Sequence, residues 1–291
     1  PVGFSYAGDQ GRRLDAGQVI AALARLLERP MFESLQIERS GKVATLWMNR
    51  PEVFNAFNEQ LIADLTQACL QLDADPGIRV VVLAGRGKHF SAGADLNWMR
   101  RAAEGSEADN LGDARRFARM LRTLAALSKP TIARVQGAAL GGGTGLAAAC
   151  DMAVASSDAV FSTSEVKFGI IPAVISPYVL RAIGPRQALR YFQSAERIPA
   201  QRALSIGLVN EVTPVDGLDG AVTALIEPLL LGAPGAQKAA KDLIEAIHGR
   251  PIDDDTLEDT AQRIARQRAT PQGRDGVAAF LDKRVPSWLQ D

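Results

Sequence analysis

The sequence predicts an α/β fold made of strand–strand–helix units and followed by a helical C-terminal region. The main observation is a pattern that occurs twice, in which an apolar strand leads through a glycine-rich loop into a helix. The first copy is RVVVLAG with GRGKHFSAGADLNWM, and the second is KPTIARVQG with AALGGGTGLAAAC. A further observation is that residues 216–284 have an almost continuous helical pattern. Alternating strands and helices with a helical tail are typical of this class.

The bulk composition limits the classes of function. Of the 291 residues, 47% are hydrophobic and 23% are charged, which is ordinary for a globular protein. Acidic and basic residues both number 33, so the net charge is zero. Proteins that bind nucleic acid or anionic membranes usually carry a basic excess, so neither is expected as the main partner. No long apolar segment or signal-peptide pattern is present, and a soluble, cytoplasmic protein is therefore expected.

The first part of the chain divides into an extension and a β-hairpin. Residues 1–30 are expected to form an N-terminal extension, a loop followed by a helix, that is either accessory or foreign to the native protein. The core is expected to span residues 31–215 and to begin with the hairpin strands LQIER and VATLWM. Asn58 is expected to cap the next helix, whose apolar residues recur at helical spacing. These residues are Leu61, Ile62, Leu65, Cys69 and Leu72.

The remaining elements follow from similar patterns. RVVVLAG is wholly apolar, as expected for a strand buried on both faces. A short helix and a long helix over about residues 109–127 precede KPTIARVQG, and DMAVAS and AVFST are predicted strands. Cys69 and Cys150 lie in apolar helical segments, so we expect two small buried residues rather than a disulfide. Residues 216–291 are predicted to form the C-terminal helical region.

The two glycine-rich loops suggest a site that stabilises negative charge. A helix N-terminus presents unpaired N–H groups and a partial positive charge. Glycine lets a substrate oxygen approach these groups because it has no Cβ. One such loop is common at strand–helix junctions and carries little weight. Two that converge, FSAGAD and the loop containing Gly141–Gly143, supply the pair of donors that an oxyanion hole needs.

Several other kinds of active site are absent from the sequence. The two histidines, His89 and His248, do not accompany a nucleophile-elbow sequence, and His89 is expected to be structural. There is no phosphate-binding loop, dinucleotide fingerprint or metal-ligand spacing. The sequence therefore predicts no metal site.

Three segments, in order, resemble the crotonase (enoyl-CoA hydratase/isomerase) superfamily: HFSAGADL, VQGAALGGGTGLAAACDMAVAS and FSTSEVKFGIIP. RPEVFNAFN and GVAAFLDKRVPSW agree with it, so the resemblance covers about residues 31–291. It implies a crotonase-like spiral of β-β-α units and a C-terminal region that forms a homotrimer or hexamer. It also implies an acyl-CoA thioester substrate, no cofactor beyond the coenzyme A of that substrate, and a role in fatty acid metabolism.

The resemblance also implies roles for individual residues. The thioester oxygen would lie between the N–H groups of Ala92 and Gly142, and Glu165 would be the acid/base. Phe280 and Lys283 would approach the coenzyme A from the same or a neighbouring subunit. The other implied substrate contacts are Asn55, Ala56, Ala94, Asp95, Leu96, Trp98, Gly141 and Thr144. Considered without the resemblance, Asp95 is better interpreted as a loop cap and Thr144 as a helix-start hydroxyl.

The chain departs from the two-glutamate hydratases of this family at Gly145, where they carry their first glutamate. It also has PAVISPYVL where generic hydratases are rich in glycine, and here it looks closer to the methylglutaconyl-CoA hydratase group of leucine degradation. Such a substrate carries a second carboxylate, which Arg100, Arg101 or Arg181 would meet. Three functions stay open: a hydratase with one glutamate, a Δ3,Δ2-enoyl-CoA isomerase, and a non-catalytic acyl-CoA-binding scaffold.

Overall fold

Two sheets and a set of helices are formed by residues 32–290, the part of the chain that this computed structural model describes. The expected extension over residues 1–30 lies outside the described residues. The strands are β1 (Leu35–Ser40), β2 (Val43–Met48), β3 (Val80–Gly85), β4 (Thr131–Val135), β5 (Ala138–Leu140), β6 (Met152–Ser156), β7 (Val160–Ser162), β8 (Ile198–Pro199) and β9 (Glu211–Thr213). The helices are α1 (Glu59–Ala74), α2 (Leu96–Glu104), α3 (Glu107–Ala125), α4 (Gly142–Ala149), α5 (Ser176–Ser194), α6 (Ala200–Ser205), α7 (Leu218–Leu231), α8 (Pro234–Ile247), α9 (Asp254–Ala269) and α10 (Pro271–Leu281).

The larger sheet has six strands in the order β1-β2-β3-β4-β6-β9, and the smaller one has the order β5-β7-β8. In the larger sheet β1 and β2 form the antiparallel hairpin, and all other pairs are parallel. In the smaller sheet β5 and β7 are parallel and β8 is antiparallel. Parallel strands joined through helices establish the α/β class, so that prediction is confirmed.

The central strand β3 explains why the larger sheet holds together. All six of its residues are buried, and successive side chains point to opposite faces. Val80 and Val82 pack with Leu218 and Val222 of α7 on one face. Val81 packs with Leu72 of α1 on the other. Helices therefore cover both faces, as the apolar sequence of this strand predicts.

Helices α1 and α3 show how local signals set the helix bounds. The Asn58 carboxamide oxygen accepts a hydrogen bond from the Leu61 N–H, and the predicted apolar face of α1 is buried. Helix α3 begins slightly earlier than predicted because Ser106 and Asp109 form a capping box at its start. Cys69 and Cys150 are free and buried, and burial raises the pKa of the Cys69 thiol to about 12.

The C-terminal region contains helices α7 to α10. Helix α7 belongs to the core of the sheet, whereas α8 to α10 leave several large apolar side chains exposed. The most exposed of these are Ile244, Phe280 and Leu281, and Ile252 is exposed in the loop between α8 and α9. Within residues 32–290, none of the helices combines the length and the apolar character that crossing a membrane requires.

Candidate active site

The two glycine-rich loops meet at the carboxyl ends of the parallel strands. The Ser91 N–H donates to the Ala138 carbonyl at 3.0 Å, and the Leu140 N–H donates to the Ser91 carbonyl at 2.9 Å. Gly93 has a φ of +92°, and a Cβ there would lie 3.0 Å from the Leu140 carbonyl oxygen. The loop after β3 is thus in direct backbone contact with β5, the strand that leads into the second glycine-rich loop, as convergence at a single site requires.

The structure does not offer Ala92 as a donor to a substrate. Its N–H donates to the Phe54 carbonyl at 2.9 Å. An N–H group that already has an acceptor inside the protein cannot bind an oxyanion without losing that bond. The assignment of Ala92 to the oxyanion hole is therefore wrong in this structure.

Ala94 and Gly142 present the available N–H groups. Phe57 bonds to the residues on either side of Ala94: its N–H donates to the Gly93 carbonyl at 2.7 Å, and its carbonyl accepts from the Asp95 N–H at 2.8 Å. For the Ala94 N–H, no acceptor is found among residues 32–290, and Ala94 is exposed. Gly142 is the first residue of α4, so its N–H has no acceptor within the helix.

Phe57 connects these two positions. It is bridged to Ala94 in the backbone, and a Cβ on Gly142 would lie only 2.9 Å from its ring. Ala94 and Gly142 therefore flank the same aromatic side chain. From the sequence, Ala94 was expected only as a substrate contact. The pairing of residues 93–95 with Phe57, which determines the free N–H, has no signal within the loop itself.

Glu165 lies beside the start of α4. It opens the 3₁₀ turn Glu165–Phe168, and its Oε1 is 3.3 Å from the position that a Cβ on Gly141 would take. Its Oε2 is buried and has no hydrogen-bond partner among the described residues. Burial raises the pKa of this carboxyl above its ordinary value. A half-buried carboxylate with a free oxygen is suited to proton transfer.

An aromatic wall stands over the N-terminus of α4. A Cβ on Gly142 would lie 2.8 Å from the Phe117 ring, which in turn meets the Trp98 ring edge-on with 6.5 Å between centroids. The Trp98 Nε1–H donates to the Asp113 carboxylate at 3.0 Å. Trp98 therefore packs beside Phe117, and its contact with the substrate stays a prediction. Phe57 and Phe117 were not predicted as part of this wall.

Asn55 and Ala56 are not available as substrate contacts. Asn55 is completely buried, and its Nδ2 donates to the carbonyls of Arg86 and His89, both at 2.9 Å. Its Oδ1 accepts from the Arg50 N–H at 2.9 Å. Ala56 is 6% exposed, and its carbonyl accepts from the Arg50 guanidinium. Both predicted contacts are wrong here, because these residues hold the loop together.

Replacing Asn55 by alanine is expected to lower the free energy of unfolding by about 3 kcal/mol, because it leaves several buried backbone groups unpaired. Urea denaturation measures this loss. Asn110→Ala is the control, since Asn110 is exposed and, among residues 32–290, its amide donates only to the Ala102 carbonyl. An unchanged unfolding free energy together with a raised KM would instead restore Asn55 as a substrate contact.

Gly141 and Thr144 also serve the interior. The Gly141 N–H donates to the Ser162 carbonyl at 2.7 Å, and Gly141 has a φ of +51° at the N-cap of α4. The Thr144 hydroxyl, fully buried, donates to the Ala139 carbonyl at 2.7 Å. Thr144 is therefore the helix-start hydroxyl of the alternative interpretation, whereas the contact of Gly141 with the substrate stays a prediction.

Asp95 caps helix α2, as the interpretation without the resemblance expects. Its Oδ1 accepts from the N–H groups of Asn97 and Trp98, and its Oδ2 contacts Arg50 at 3.1 Å. Burial opposes ionisation, but these hydrogen bonds outweigh it and lower the pKa of the Asp95 carboxyl. The predicted substrate contact is therefore wrong for its side chain. Leu96, in contrast, is 73% exposed at the mouth of the loop.

Phe280 and Lys283 lie at the end of α10 and are exposed. Helix α10 packs against α8, α9 and the turn Ser287–Leu289 of this chain. Their approach to coenzyme A therefore stays a prediction. His89 is structural, as expected, because its Nδ1 accepts from the Ala138 N–H at 3.0 Å.

Gly145 faces a residue that the sequence analysis did not single out. A Cβ on Gly145 would lie 2.2 Å from Cγ2 of Ile175, so Ile175 occupies the direction in which a glutamate side chain would leave α4. The segment PAVISPYVL contains Ile175 and differs from the glycine-rich segment of generic hydratases. This difference was the only sequence signal of the contact.

Comparison with known proteins finds relatives along nearly the whole of the described chain. The model of the enoyl-CoA hydratase/isomerase family matches residues 38–291. The chain is 33% identical to a crotonyl-CoA hydratase of Syntrophomonas wolfei, with 89% of this chain and 98% of the relative covered. It is 34% identical to a 2,3-dehydroadipyl-CoA hydratase of Escherichia coli, with 88% and 99% covered. A solved enoyl-CoA hydratase of Shewanella pealeana is 41% identical, covers 91% of this chain and 98% of its own, and has a TM-score of 0.87.

Proposed function

We propose, since this chain belongs to the enoyl-CoA hydratase/isomerase family, that it adds water to an α,β-unsaturated acyl-CoA thioester and catalyses the reverse dehydration. The observation that carries this proposal is the position of Glu165. Its Oε1 lies 3.3 Å from the position that a Cβ on Gly141 would take, at the N-cap of α4, and its buried Oε2 has no hydrogen-bond partner among the described residues. Relatives named for crotonyl-CoA and 2,3-dehydroadipyl-CoA support the reaction class.

The backbone supplies the electrostatic part of the reaction. The thioester oxygen accepts hydrogen bonds from Ala94 and Gly142, whose N–H groups have no acceptor in the described part of the chain. As negative charge moves from the double bond to this oxygen, fixed donors stabilise the enolate without reorganising. The dipole of α4 adds to this effect because its positive end faces the oxygen.

Glu165 supplies the proton chemistry. Its carboxylate removes a proton from water as the water oxygen bonds to C3, which gives the enolate and a neutral carboxylic acid. The same acid then returns the proton to C2, and the sum is the addition of one water molecule. A raised pKa favours a group that must act first as base and then as acid near neutral pH. No cofactor takes part, since coenzyme A belongs to the substrate.

The Gly145–Ile175 contact supports a second candidate, a Δ3,Δ2-enoyl-CoA isomerase. A double-bond shift needs one carboxylate, which removes a proton from C4 or C2 and returns it to the other carbon. The apolar side chain above Gly145 is compatible with such a reaction because it needs no second group to hold water.

A panel of three thioesters separates the candidates. Crotonyl-CoA and 3-methylglutaconyl-CoA report water addition as loss of the conjugated enoyl absorbance, and 3-hexenoyl-CoA reports a double-bond shift as its gain. Turnover of the first two supports the hydratase, and turnover of the third alone supports the isomerase. Coenzyme A binding without any turnover would instead indicate a scaffold and would overturn the proposal.

The acid limb of the pH profile should reflect Glu165. Because burial raises the pKa of this carboxyl, kcat/KM should decline, as the pH falls, at a pH above the ordinary pKa of glutamate. Initial rates of crotonyl-CoA hydration across the acid range measure this limb. A limb at the ordinary glutamate pKa, or none, would mean that Glu165 is not the base in the free enzyme.

The acyl group is proposed to be of the 3-methylglutaconyl type, which places the enzyme in leucine degradation. Of the three candidate arginines for a second carboxylate, Arg101 is bonded to both carboxylate oxygens of Glu59 at 2.7 and 2.8 Å. Arg100 and Arg181 are exposed and remain candidates. Discrimination between 3-methylglutaconyl-CoA and crotonyl-CoA that survives alanine at both positions would count against this substrate assignment.

The active form is proposed to be a homotrimer or hexamer in the cytoplasm. Exposed apolar residues of α8 to α10 and of the loop between α8 and α9, such as Ile244, Ile252 and Phe280, support a subunit contact in the C-terminal region, because large apolar patches usually mark interfaces. Light scattering on the purified protein gives the number of subunits, and a monomer would contradict this part of the proposal.

A further inference from the structure

Gly145 and Gly142 lie three positions apart on α4, so their Cα hydrogens point to nearly the same side of the helix. A Cβ on Gly145 would lie 2.2 Å from Cγ2 and 2.7 Å from Cβ of Ile175. Ile175 is 2% exposed and is held at the start of α5. Even alanine at position 145 would require Ile175 to move.

Helix α5 packs against both α4 and the turn Glu165–Phe168. Helix α5 is therefore a shared neighbour of α4 and of the turn that carries Glu165, and Ile175 at its start makes the contact with α4 at Gly145. Phe57 and Phe117 cover the same helix at Gly142. Hydrocarbon thus lines α4 over both glycines, and a water molecule there would lack the polar partners that ordered water needs.

We propose that Ile175 determines the specificity of the reaction by filling the space above Gly145, so that water reaches the bound thioester only beside Glu165. This inference rests on the proposed function. Its consequence concerns which reaction the bound 2-enoyl thioester undergoes, addition of water at C3 or removal of a proton from C4. A single water position, held by the same carboxylate that must move the proton, makes these two reactions compete directly. Ile175 therefore favours the double-bond shift relative to hydration.

The steric part is tested by a double-mutant cycle on thermal stability. Gly145→Ala alone is expected to lower the melting temperature, because its Cβ overlaps Ile175. Ile175→Ala alone is expected to lower it by leaving a cavity. The melting temperature of the double variant is expected to fall by less than the sum of the two single falls, since each change makes room for the other. Strict additivity would show that Ile175 does not fill this space, and would overturn the inference whatever the enzyme does.

The chemical part is tested by product ratios. With trans-2-hexenoyl-CoA and 3-hexenoyl-CoA, chromatography gives the rate of water addition and the rate of double-bond shift. Ile175→Ser places a hydroxyl above Gly145, and its ratio of hydration to shift is expected to rise about tenfold, which corresponds to about 1.4 kcal/mol between the two barriers. The paired variant Gly145→Glu with Ile175→Ala is expected to raise the ratio further.

Ile183→Ala is the matched control, because Ile183 is a buried isoleucine two turns further along α5. It is expected to lower the melting temperature and to leave the product ratio at the wild-type value. An active Ile175→Ser enzyme with an unchanged ratio overturns the inference and leaves the proposed function standing. A wild-type enzyme that turns over neither thioester overturns both, and the two failures are thereby distinguished.

Discussion

Replacing Glu165 by glutamine is expected to lower kcat by about 10²- to 10⁴-fold with little change in KM. Glutamine keeps the size and the hydrogen-bonding capacity of the side chain but can neither accept nor return the proton. Ala94 and Gly142 still bind the thioester oxygen, so ground-state binding persists. Steady-state kinetics with crotonyl-CoA measure the effect.

The same variant is expected to be more stable than the wild type at neutral pH. Burial raises the pKa of Glu165 in the folded protein above its value in the unfolded chain, so the folded state binds its proton more tightly. The stability that this difference provides is present at low pH and is lost as the pH rises through the folded pKa. At pH 7 the wild type holds a buried, unpaired carboxylate that Glu165→Gln removes.

Melting temperatures at neutral and acid pH test this linkage. The variant should melt above the wild type at pH 7, and the difference should vanish below the ordinary pKa of glutamate. Glu211→Gln is the control, because Glu211 lies exposed on β9 and should affect neither kcat nor stability. Retained activity in Glu165→Gln would remove Glu165 from the mechanism, even if the protein became more stable.

Local sequence signals were sufficient for most of the fold. The apolar sequence of β3 and the helical spacing of the apolar residues in α1 are both visible within a short stretch of sequence, so these two elements could be predicted. The start of α3 was placed too late because the capping pair Ser106 and Asp109 was not used in the prediction. Its physical signal, serine three residues before an acid, was present in the sequence.

The site was only partly predictable, because hydrogen bonds between distant segments decide which loop groups are free. Ala92 and Ala94 both lie in FSAGAD, and nothing within these six letters distinguishes their N–H groups. The distinction arises when Phe54 accepts from Ala92 and Phe57 pairs around Ala94. Asn55 was misassigned for a similar reason, since its amide is used by the carbonyls of Arg86 and His89.

Gly145 shows the same limit in its packing. In the sequence this glycine stands where the two-glutamate hydratases carry a carboxylate, which explains what the site lacks. The structure adds that Ile175, thirty residues later, occupies the vacated direction. The space above Gly145 thus lacks a carboxylate and is filled by Ile175. The glycine-rich motif reveals the missing carboxylate but not the isoleucine that takes its place.

Replacing the Ala94 amide by an ester is expected to lower kcat by about 10²- to 10³-fold, the usual effect of removing one oxyanion donor. The change, made by incorporating lactic acid at position 94, substitutes an oxygen for the N–H and keeps the side chain. The N–H of Ala94 has no acceptor within residues 32–290, so its removal should cost little stability. Kinetics and thermal melting on the same sample separate the two effects.

The matched control is the ester at position 92. The Ala92 N–H donates to the Phe54 carbonyl, so this ester should lower the melting temperature and leave kcat near the wild-type value. Proline at Gly142 would be a poorer test, since any Cβ there meets Phe57 and Phe117 at less than 3 Å. If the ester at position 92 abolished turnover while the one at position 94 did not, the donor would be Ala92. The loop would then have to release Phe54 when substrate binds.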